Sequence, residues 1–472
     1  LDGVGYGHIL SSLEKCVGLT FQSCRFAEGS LANVLSTCIL NSPKIRWIAL
    51  HHCAVDSLSL AGVLESIDAA STAPNTALCV LDLSHNALDS SAIHSVCGIL
   101  QAVSSIHTLS LDMNELGLSE LRALKNGMKR DGALSLRTLS LSSCGLKDDS
   151  MAPILKILNC QEKLRCLDLS GNGLGVDAME RLASAFRKGV GRGLEELDLS
   201  YTKLGDAGCR VLTHALRSGY LPNLRSLKIC GIGATGRALD TLLAASMDNE
   251  AATGIALEHV DISGNDLFPV MKKEKGGSSS AKAIPKKFMA AMKTFGAAGT
   301  LMSSLESLSG KKKAKRYHQR ALTYGSSFKS KRKGEGEGKD NGKSKSRVRN
   351  VEHRKVSVSQ DTSLKLDAAR QQERRTIKTL AEVFVAMATA TTPGDSPFCM
   401  RDLHLNRVGL TDSKCLRLSK QIKKLMDSGK ETAMVTNGNG VGSISIRLNN
   451  LPDTAISHLS NTIPTIEINP SR

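Results

Sequence analysis

The sequence predicts an α/β horseshoe solenoid, with parallel strands on its concave face and helices on its convex face. Two observations support this prediction: one apolar template recurs along the chain, and an amphipathic helical pattern follows most of its copies. A third observation, an abrupt change to basic sequence rich in Gly and Ser after Leu267, predicts a long disordered insertion. A chain of 472 residues has room for one long solenoid or for two to four compact domains.

The recurring template is L-x-x-L-x-L-x-x-N/C-x-L, the pattern of a leucine-rich repeat. Its strong copies from residue 78 to residue 224 start 28 to 30 residues apart, and weaker copies cover residues 16–26 and 45–55. The sequence therefore predicts about nine repeats over residues 1–267. The strong copies are LCVLDLSHNAL (78–88), IHTLSLDMNEL (106–116), LRTLSLSSCGL (136–146), LRCLDLSGNGL (164–174), LEELDLSYTKL (194–204), LRSLKICGIGA (224–234) and LEHVDISGNDL (257–267).

Each position of the template has a physical purpose. Apolar residues such as Leu164, Leu167 and Leu169 point inward from a short strand, and stacked repeats bury a core that no repeat could bury alone. The ninth position carries an amide that can bond unpaired backbone where the chain turns, or a small buried cysteine. The residues at this position are Asn86, Asn114, Asn172, Asn265, Cys24, Cys53 and Cys144.

An amphipathic helix is expected after each turn. In residues 176–189 the apolar residues Met179, Leu182, Ala183 and Phe186 recur at helical spacing, and Gly189 fits a helix C-terminus. An acidic residue often precedes or opens the helix, where it can cap the free N–H groups. The four such acids are Asp89, Asp148, Asp177 and Asp206.

With Asn and Cys sharing the ninth position and 28 to 30 residues per unit, the chain resembles the ribonuclease-inhibitor-like class of leucine-rich-repeat proteins. The resemblance covers residues 16–267 and part of 398–468. It implies a protein without enzymatic activity that binds a partner protein on the concave face. The class also includes the Ran GTPase-activating protein and the CARMIL actin regulators, so regulation of a GTPase or of cytoskeletal assembly is the alternative.

Two glycine-rich motifs imitate nucleotide sites. Gly231, Gly233 and Gly236 form G-x-G-x-x-G between a strand and a helix, but they occupy repeat positions, so we interpret them as a degenerate repeat turn. Residues 338–344, GKDNGKS, have the wrong spacing for a P-loop. The cysteines contain no Cys-x-x-Cys pair. We therefore expect no cofactor, no metal site and no catalytic residues.

Residues 268–373 are predicted to be a basic, largely disordered insertion. Residues 271–360 hold 24 Lys and Arg against 6 Asp and Glu. The insertion is either a solvated spacer or an arm that binds nucleic acid, acidic lipid or an acidic protein through residues 311–349. Residues 283–308 have the pattern of an amphipathic helix, which could lie on a membrane or partner or pack on the solenoid. The basic arm itself is centred on Lys311, Lys312, Lys313, Lys315 and Arg316.

The repeat pattern returns in residues 374–472. A predicted helix near 374–390 places Ile377, Leu380, Phe384 and Met387 on one face, and residues 400–410 fit the template. Residues 441–451 and 463–468 have the pattern of further strands. This is either one solenoid interrupted by a long loop, which we favour, or a separate small repeat domain.

The predicted binding residues are those that the strand pattern places on the concave face. Trp47 is either a binding anchor at one end of this face or a packing residue under the N-terminal edge. The partner is a protein of unknown identity, no transmembrane segment is predicted, and we expect a monomer in the cytoplasm, with the cytoskeleton and the nucleus as further sites. The predicted concave residues are Trp47, His51, Asp82, Asp112, Asp168, Glu196, Asp198, Tyr201 and Asp261.

Overall fold

The structure is a computed structural model, and it describes most of the repeat sequence. The basic arm and the amphipathic pattern at 283–308 lie outside the described residues. Contacts group residues 1–270 and 363–472 into one compact unit and residues 271–362 into another, of which the structure describes the helical backbone from residue 347. The described residues are 17–26, 29–41, 44–69, 77–128, 136–246, 257–268, 347–389, 400–428, 442–446, 449, 451–463 and 466–469.

In the described part of the chain, twelve parallel strands form one sheet, and their order in the sheet is their order in the sequence. Each strand therefore adds to the edge left by the strand before it, as stacked repeats require. The strands are β1 (Gly18–Gln22), β2 (Trp47–His51), β3 (Val80–Asp82), β4 (Thr108–Ser110), β5 (Thr138–Ser140), β6 (Cys166–Asp168), β7 (Glu196–Asp198), β8 (Ser226–Lys228), β9 (His259–Asp261), β10 (Asp402–His404), β11 (Gly442–Ser445) and β12 (Ile466–Asn469).

A helix follows nearly every strand and covers one side of the sheet with its apolar residues. A short 3₁₀ turn, Asp148–Ser150, leads into the fifth helix. The helices are α1 (Ser30–Asn41), α2 (Ser57–Asp68), α3 (Ser90–Ala102), α4 (Leu118–Gly127), α5 (Met151–Cys160), α6 (Val176–Arg187), α7 (Gly205–Arg217), α8 (Gly236–Ala245), α9 (Arg347–Thr389), α10 (Asp412–Ser428) and α11 (Asp453–Thr462). Among the described residues, no helix is long and apolar enough to cross a membrane.

The inward leucines lie where the template predicts them. Leu139, Leu167 and Leu197 occupy the centres of β5, β6 and β7, pair in register and are almost fully buried. Every second residue of a strand points to the same side of the sheet, so the residues on either side of each central leucine point away from the helices. The buried leucines thus fix which side chains are available for binding.

The ninth-position amides bond the backbone at the turn, as predicted, and they also bond the backbone of the preceding repeat. The Nδ2 group of Asn172 donates to the carbonyls of Leu141 and Leu169 at 2.8 and 2.9 Å, and its Oδ1 accepts from the N–H of Leu146 at 3.0 Å. Where cysteine replaces the amide, the Cys144 thiol donates to the carbonyl of Leu111 at 3.2 Å. The amide is therefore the stronger connection between neighbouring repeats, because two of its bonds reach the preceding repeat and the thiol makes one.

The prediction that four acids cap their own helices is correct for one of them. The Asp89 carboxylate accepts from the N–H of Ala92 in α3 at 2.8 Å. Asp148 and Asp206 instead bond the following repeat, where they accept from the N–H groups of Gly175 and Thr235 at 2.7 and 2.6 Å. The repeats stack so closely that the start of the next helix lies within reach of these carboxylates.

Strand β10 extends the sheet of the earlier repeats, and α9 packs in their core. β10 pairs with β9 along its length, although more than a hundred residues separate them in sequence. Ile377, Leu380 and Phe384 are buried in the same core cluster as the earlier repeats, as the helical pattern predicted. The helix begins at Arg347 rather than near residue 374, because its first part is helical without the apolar periodicity on which the prediction depended.

Candidate binding face

The surface that the strands present away from the helices is called here the sheet face. It consists of the residues before and after the central residue of each strand, together with the polar residue two positions further on. Apart from Trp47, Ala49, Val80, Cys166 and Lys228, the described strands β2–β10 place mainly Ser, Thr, Asp, Glu and His on it. The sheet face is therefore polar, with two exposed aromatic rings.

Those two rings are Trp47 and Tyr201, whose residues remain 43% and 52% exposed. Each lies against a glycine of a neighbouring repeat. A side chain at Gly18 would place its Cβ 1.9 Å from Trp47 Cε2, and one at Gly231 would place it 2.9 Å from Tyr201 Cδ1. Trp47 thus packs on the N-terminal strand and also remains accessible. Whether it anchors a partner stays a prediction.

The N-terminal part of the sheet face carries three histidines and Asp82. His51 Nε2 lies 2.9 Å from Asp82 Oδ2, and the N–H of Ser84 donates to Asp82 Oδ1 at 3.0 Å. Burial by itself would raise the pKa of Asp82, but these bonds outweigh it and lower the pKa. Just beyond the strands, the rings of His52 and His85 stack with 4.2 Å between their centroids.

Three aspartates dominate the middle of the sheet face. Asp168 and Asp198 are directly opposite each other in β6 and β7. Asp112 accepts from Ser140 Oγ at 2.5 Å, and the same hydroxyl also lies 3.3 Å from Asp168. Burial, with repulsion from Asp168 as a smaller contribution, raises the pKa of both Asp112 and Asp198. The middle of the face is thus an acidic strip in which like charges repel.

One lysine partly neutralises this strip. The Lys228 ammonium in β8 donates to Glu196 in β7, and the pair joins neighbouring strands. Burial would lower the pKa of Lys228, but the bond to Glu196 and the nearby aspartates raise it instead. Lys228 is also directly opposite Asp198 in the sheet, so its charge offsets part of the negative potential of the strip.

The junction between β9 and β10 carries two reciprocal pairs of His and Asp. His259 Nδ1 lies 2.6 Å from Asp402 Oδ2, and His404 Nδ1 lies 3.5 Å from Asp261 Oδ2. Burial raises the pKa of Asp261, but hydrogen bonds from His404 and Ser263 lower it overall to about 2. Sequence analysis missed His259, Asp402 and His404, although the template at 400–410 marks Asp402 and His404 as strand residues next to an inward leucine.

The structure places all nine predicted concave residues on or beside the sheet face. It connects some of them to each other or to neighbouring repeats, and it separates Trp47 and His51 at one end from Asp261 near β10. Whether they bind a partner stays a prediction. The five that the structure groups in the middle of the face are Asp112, Asp168, Glu196, Asp198 and Tyr201.

The G-x-G-x-x-G segment is a repeat turn between β8 and α8. Gly231 and Gly233 have positive φ angles of 59° and 77°, and Gly236 begins the helix. The groups that would face a pyrophosphate are used within the protein. The N–H and hydroxyl of Thr235 donate to Asp206, at 2.6 and 2.9 Å, and the N–H of Gly236 donates to the carbonyl of Asp266 at 3.2 Å. Among the described residues, no group of His, Cys, Asp and Glu side chains is suited to hold a metal ion.

Comparison with known proteins agrees with the repeat structure. The family model described as Leucine Rich repeat matches residues 133–155, 161–183 and 194–212. The chain is 28% identical over 235 residues to the ribonuclease inhibitor of Sus scrofa, across 49% of this chain and 50% of that protein. It is 34% identical over 139 residues to the Tonsoku-like protein of Bos taurus, across 29% of this chain and 10% of that protein. It is 31% identical over 129 residues to the Ran GTPase-activating protein of Drosophila melanogaster, across 26% of this chain and 22% of that protein.

The stacked strands, the buried leucine and amide positions and the family match define a leucine-rich-repeat protein. The unit length, the alternation of strand and helix and the similarity to the ribonuclease inhibitor assign it to the ribonuclease-inhibitor-like class. The chain spans half or less of the length of each of these relatives. Leucine-rich-repeat proteins generally mediate protein–protein interactions.

Proposed function

We propose that the chain is a non-enzymatic scaffold that binds a partner protein on the sheet face, centred on Asp168 and Asp198. The observation that carries this proposal is that these two carboxylates are directly opposite in neighbouring strands. Like charges in directly opposite positions destabilise a sheet, so a partner that supplies a positive charge there gains more than it would at an isolated aspartate.

The neighbouring residues favour a protein partner with basic side chains. Tyr201 is half exposed beside the acidic strip, and exposed tyrosines are common anchors of protein interfaces. The Asp168 and Asp198 carboxylates each accept the N–H of a serine two residues on, at 2.8 Å, so their positions are fixed before binding. A rigid acidic surface next to an aromatic ring suits lysine or arginine side chains of a partner.

To test this, a partner is first isolated with the intact chain. Its affinity is then measured for two double variants of the chain. Asp168→Asn with Asp198→Asn removes the two charges and keeps an oxygen to accept the serine N–H groups. The control, Asp177→Asn with Glu180→Gln, removes two exposed charges from α6. Calorimetry should show affinity at least about tenfold weaker for the first pair and unchanged for the control, in line with the loss of charge-assisted bonds. Equal affinity for both variants would contradict the proposal.

A second candidate function is the regulation of a GTPase. It follows from the 31% identity over 129 residues to a protein named for its activation of the Ran GTPase. Single-turnover GTP hydrolysis by a purified GTPase, measured with and without this chain, tests it directly. Binding without any change in the hydrolysis rate would favour the scaffold.

The remaining expectations stay proposals. We place the chain in the cytoplasm, as one monomer, with residues 268–373 inserted in the loop of one repeat. Affinity purification with and without residues 268–373 would separate partners of the solenoid from nucleic acid, acidic lipid or protein partners of the insertion.

A further inference from the structure

A basic pocket lies at the edge of the sheet where the strands begin. It opens over the starts of β4, β5 and β6 and has a volume of about 560 Å³. A pocket of this size falls in the range that accommodates small ligands or part of a peptide. Its lining residues are His107, Thr108, Arg137, Thr138, Lys163, Arg165, Cys166 and Glu195.

The repeat stacking concentrates positive charge in this pocket. His107, Arg137 and Arg165 precede three successive strands at the same position of the template, because Thr108, Thr138 and Cys166 pair in register. Neighbouring strands lie about 4.8 Å apart, so the side chains of these residues start close together. Lys163 adds a further charge in the same pocket.

Arg165 is held in place by the backbone. Its Nη1 group donates to the carbonyls of Glu162 and Gly193 at 3.3 and 3.2 Å, and its Nε lies 3.3 Å from Glu195 Oε1. A side chain at Gly193 would place its Cβ 2.2 Å from this Nη1. The guanidinium can therefore occupy this position because residue 193 is a glycine. Its bonds hold Arg165 in place before a ligand binds.

Arg137 and Lys163 are the two cations that remain available. Both are exposed, and within the described part of the chain neither side chain has a hydrogen bond or a carboxylate at ion-pair distance. Glu195, the one acid of the lining, is engaged by Arg165. The Thr138 hydroxyl adds a neutral group beside these charges, and the Thr108 hydroxyl lies 3.1 Å from His107 Nδ1.

We propose that this pocket binds a phosphorylated segment of a protein, with the phosphate between Arg137, Lys163 and Arg165. A phosphate monoester has a charge near −2 and several acceptor oxygens, which matches two free cations, one ordered guanidinium and a hydroxyl. The pocket is larger than a phosphate and extends over three repeats, so it accommodates the flanking peptide as well. Among the described residues, His107 is the only ring in the lining, and these residues offer no aromatic stacking platform of the kind typical of single-stranded nucleic-acid sites.

The test is fluorescence anisotropy with the full chain and a labelled pool of short degenerate peptides that carry one fixed phosphoserine. The same pool with serine measures the contribution of the phosphate, and inorganic phosphate as competitor distinguishes a peptide site from a site for the free anion. We expect the phosphorylated pool to bind at least about tenfold more tightly than the serine pool and millimolar phosphate to compete weakly.

Two variants locate the binding. Arg137→Ala with Lys163→Ala should weaken binding of the phosphorylated pool about tenfold. Arg181→Ala with Arg187→Ala removes the same charge from exposed positions of α6 and should leave it unchanged, which controls for binding to the basic insertion. Gly193→Ala should also weaken it, because it displaces Arg165 without a change of charge.

Three outcomes would overturn the proposal. The first is equal affinity for the two pools, and the second is an equal loss of affinity in the pocket variant and the α6 variant. The third is that the pocket variant loses affinity for a labelled single-stranded oligonucleotide but not for the phosphopeptides. Melting temperatures of all variants show whether a loss comes from unfolding instead. If the double variant Arg137→Ala with Lys163→Ala does not fold, the double variant Arg137→Gln with Lys163→Gln is used in its place. The same three outcomes would then overturn the proposal.

Discussion

Asn172 shows how much of this solenoid depends on single polar side chains. Its buried amide bonds the carbonyls of two successive strands and the N–H of Leu146 in the repeat before it. Leaving buried backbone groups without partners costs about 1–3 kcal/mol for each. The amide therefore contributes to stability through the groups it satisfies more than through its own burial.

We predict that Asn172→Ala lowers the free energy of unfolding by at least about 3 kcal/mol, since three carbonyls and one N–H lose their partner. Asn172→Cys should cost less, because the Cys144 thiol at the equivalent position donates one bond to a carbonyl. Urea unfolding followed by circular dichroism measures both. Asn159→Ala, at an exposed position of α5, is the control, and an equal midpoint for Asn172→Ala and this control would contradict the prediction.

Asp240 is a second residue on which the stability of the protein should depend, in this case through pH. It lies buried on α8 and accepts from Gln372 and Thr376 of α9 at 2.6 and 2.9 Å, while its Oδ1 has no partner among the described residues. Burial raises the pKa of this carboxyl to about 6, against the lowering effect of the two hydrogen bonds. A folded pKa above the unfolded value of about 3.9 means that the folded state binds the proton more tightly.

The stability that Asp240 contributes is consequently full below about pH 4 and is lost as pH rises through about 6. We predict that Asp240→Asn removes this part of the pH dependence. The difference in unfolding free energy between the two proteins should change by up to about 3 kcal/mol between pH 4 and pH 7. Urea titrations at several pH values measure it, with Asp177→Asn as the exposed control. Parallel pH profiles for the protein and Asp240→Asn would show that the carboxyl titrates normally.

At the scale of the element, each strand is short and depends on its central leucine. Strands β3 to β10 are assigned only three residues each, too few to be stable alone. They persist because the leucine is buried between helices and neighbouring strands, and because the sheet continues on both sides. A defect in one strand should thus affect its neighbours.

We predict that Leu167→Ala costs about 2–5 kcal/mol through the cavity left in the core. Native-state hydrogen exchange should show faster exchange in β5 and β7 as well as in β6, because neighbouring repeats stabilise one another. The exposed Leu416 provides the control, and Leu416→Ala should change stability by no more than about 0.5 kcal/mol. Faster exchange limited to β6 would mean that the repeats are energetically independent.

At the scale of the whole molecule, the strands that follow residue 400 extend the same sheet as the strands that precede residue 268. Strand β10 pairs with β9, and Phe384 of α9 is buried in the core that both share. The acidic and basic surfaces are also distributed by this stacking. Carboxylates lie along the sheet face of β6 and β7, and cations lie before the starts of β5 and β6.

We predict that Phe384→Ala destabilises the repeats on both sides of the junction, at a cost of about 3–5 kcal/mol. Limited proteolysis should then cut faster within residues 400–463, and hydrogen exchange should rise in β8 and β9. If only residues 400–463 respond, β10 to β12 form an independent domain rather than part of one solenoid. Met426→Ala, at an exposed position of α10, is the control.

Much of the fold follows from the sequence because the repeat places the same residue type at the same spacing. The buried leucines, the ninth-position amides and the polar sheet face could all be assigned by position alone. The sequence also predicted a helix with Phe384 on its apolar face, although α9 begins earlier, at Arg347.

Only the tertiary structure decided which bonds join one repeat to the next. Asp148 and Asp206 bond N–H groups 27 and 29 residues further along rather than capping their own helices. The His259–Asp402 pair connects strands on the two sides of the insertion. A repeated pattern fixes the face on which a side chain lies, because the strand and helix periods are local. It does not fix the bonding partner, because that depends on how closely one repeat stacks on the next.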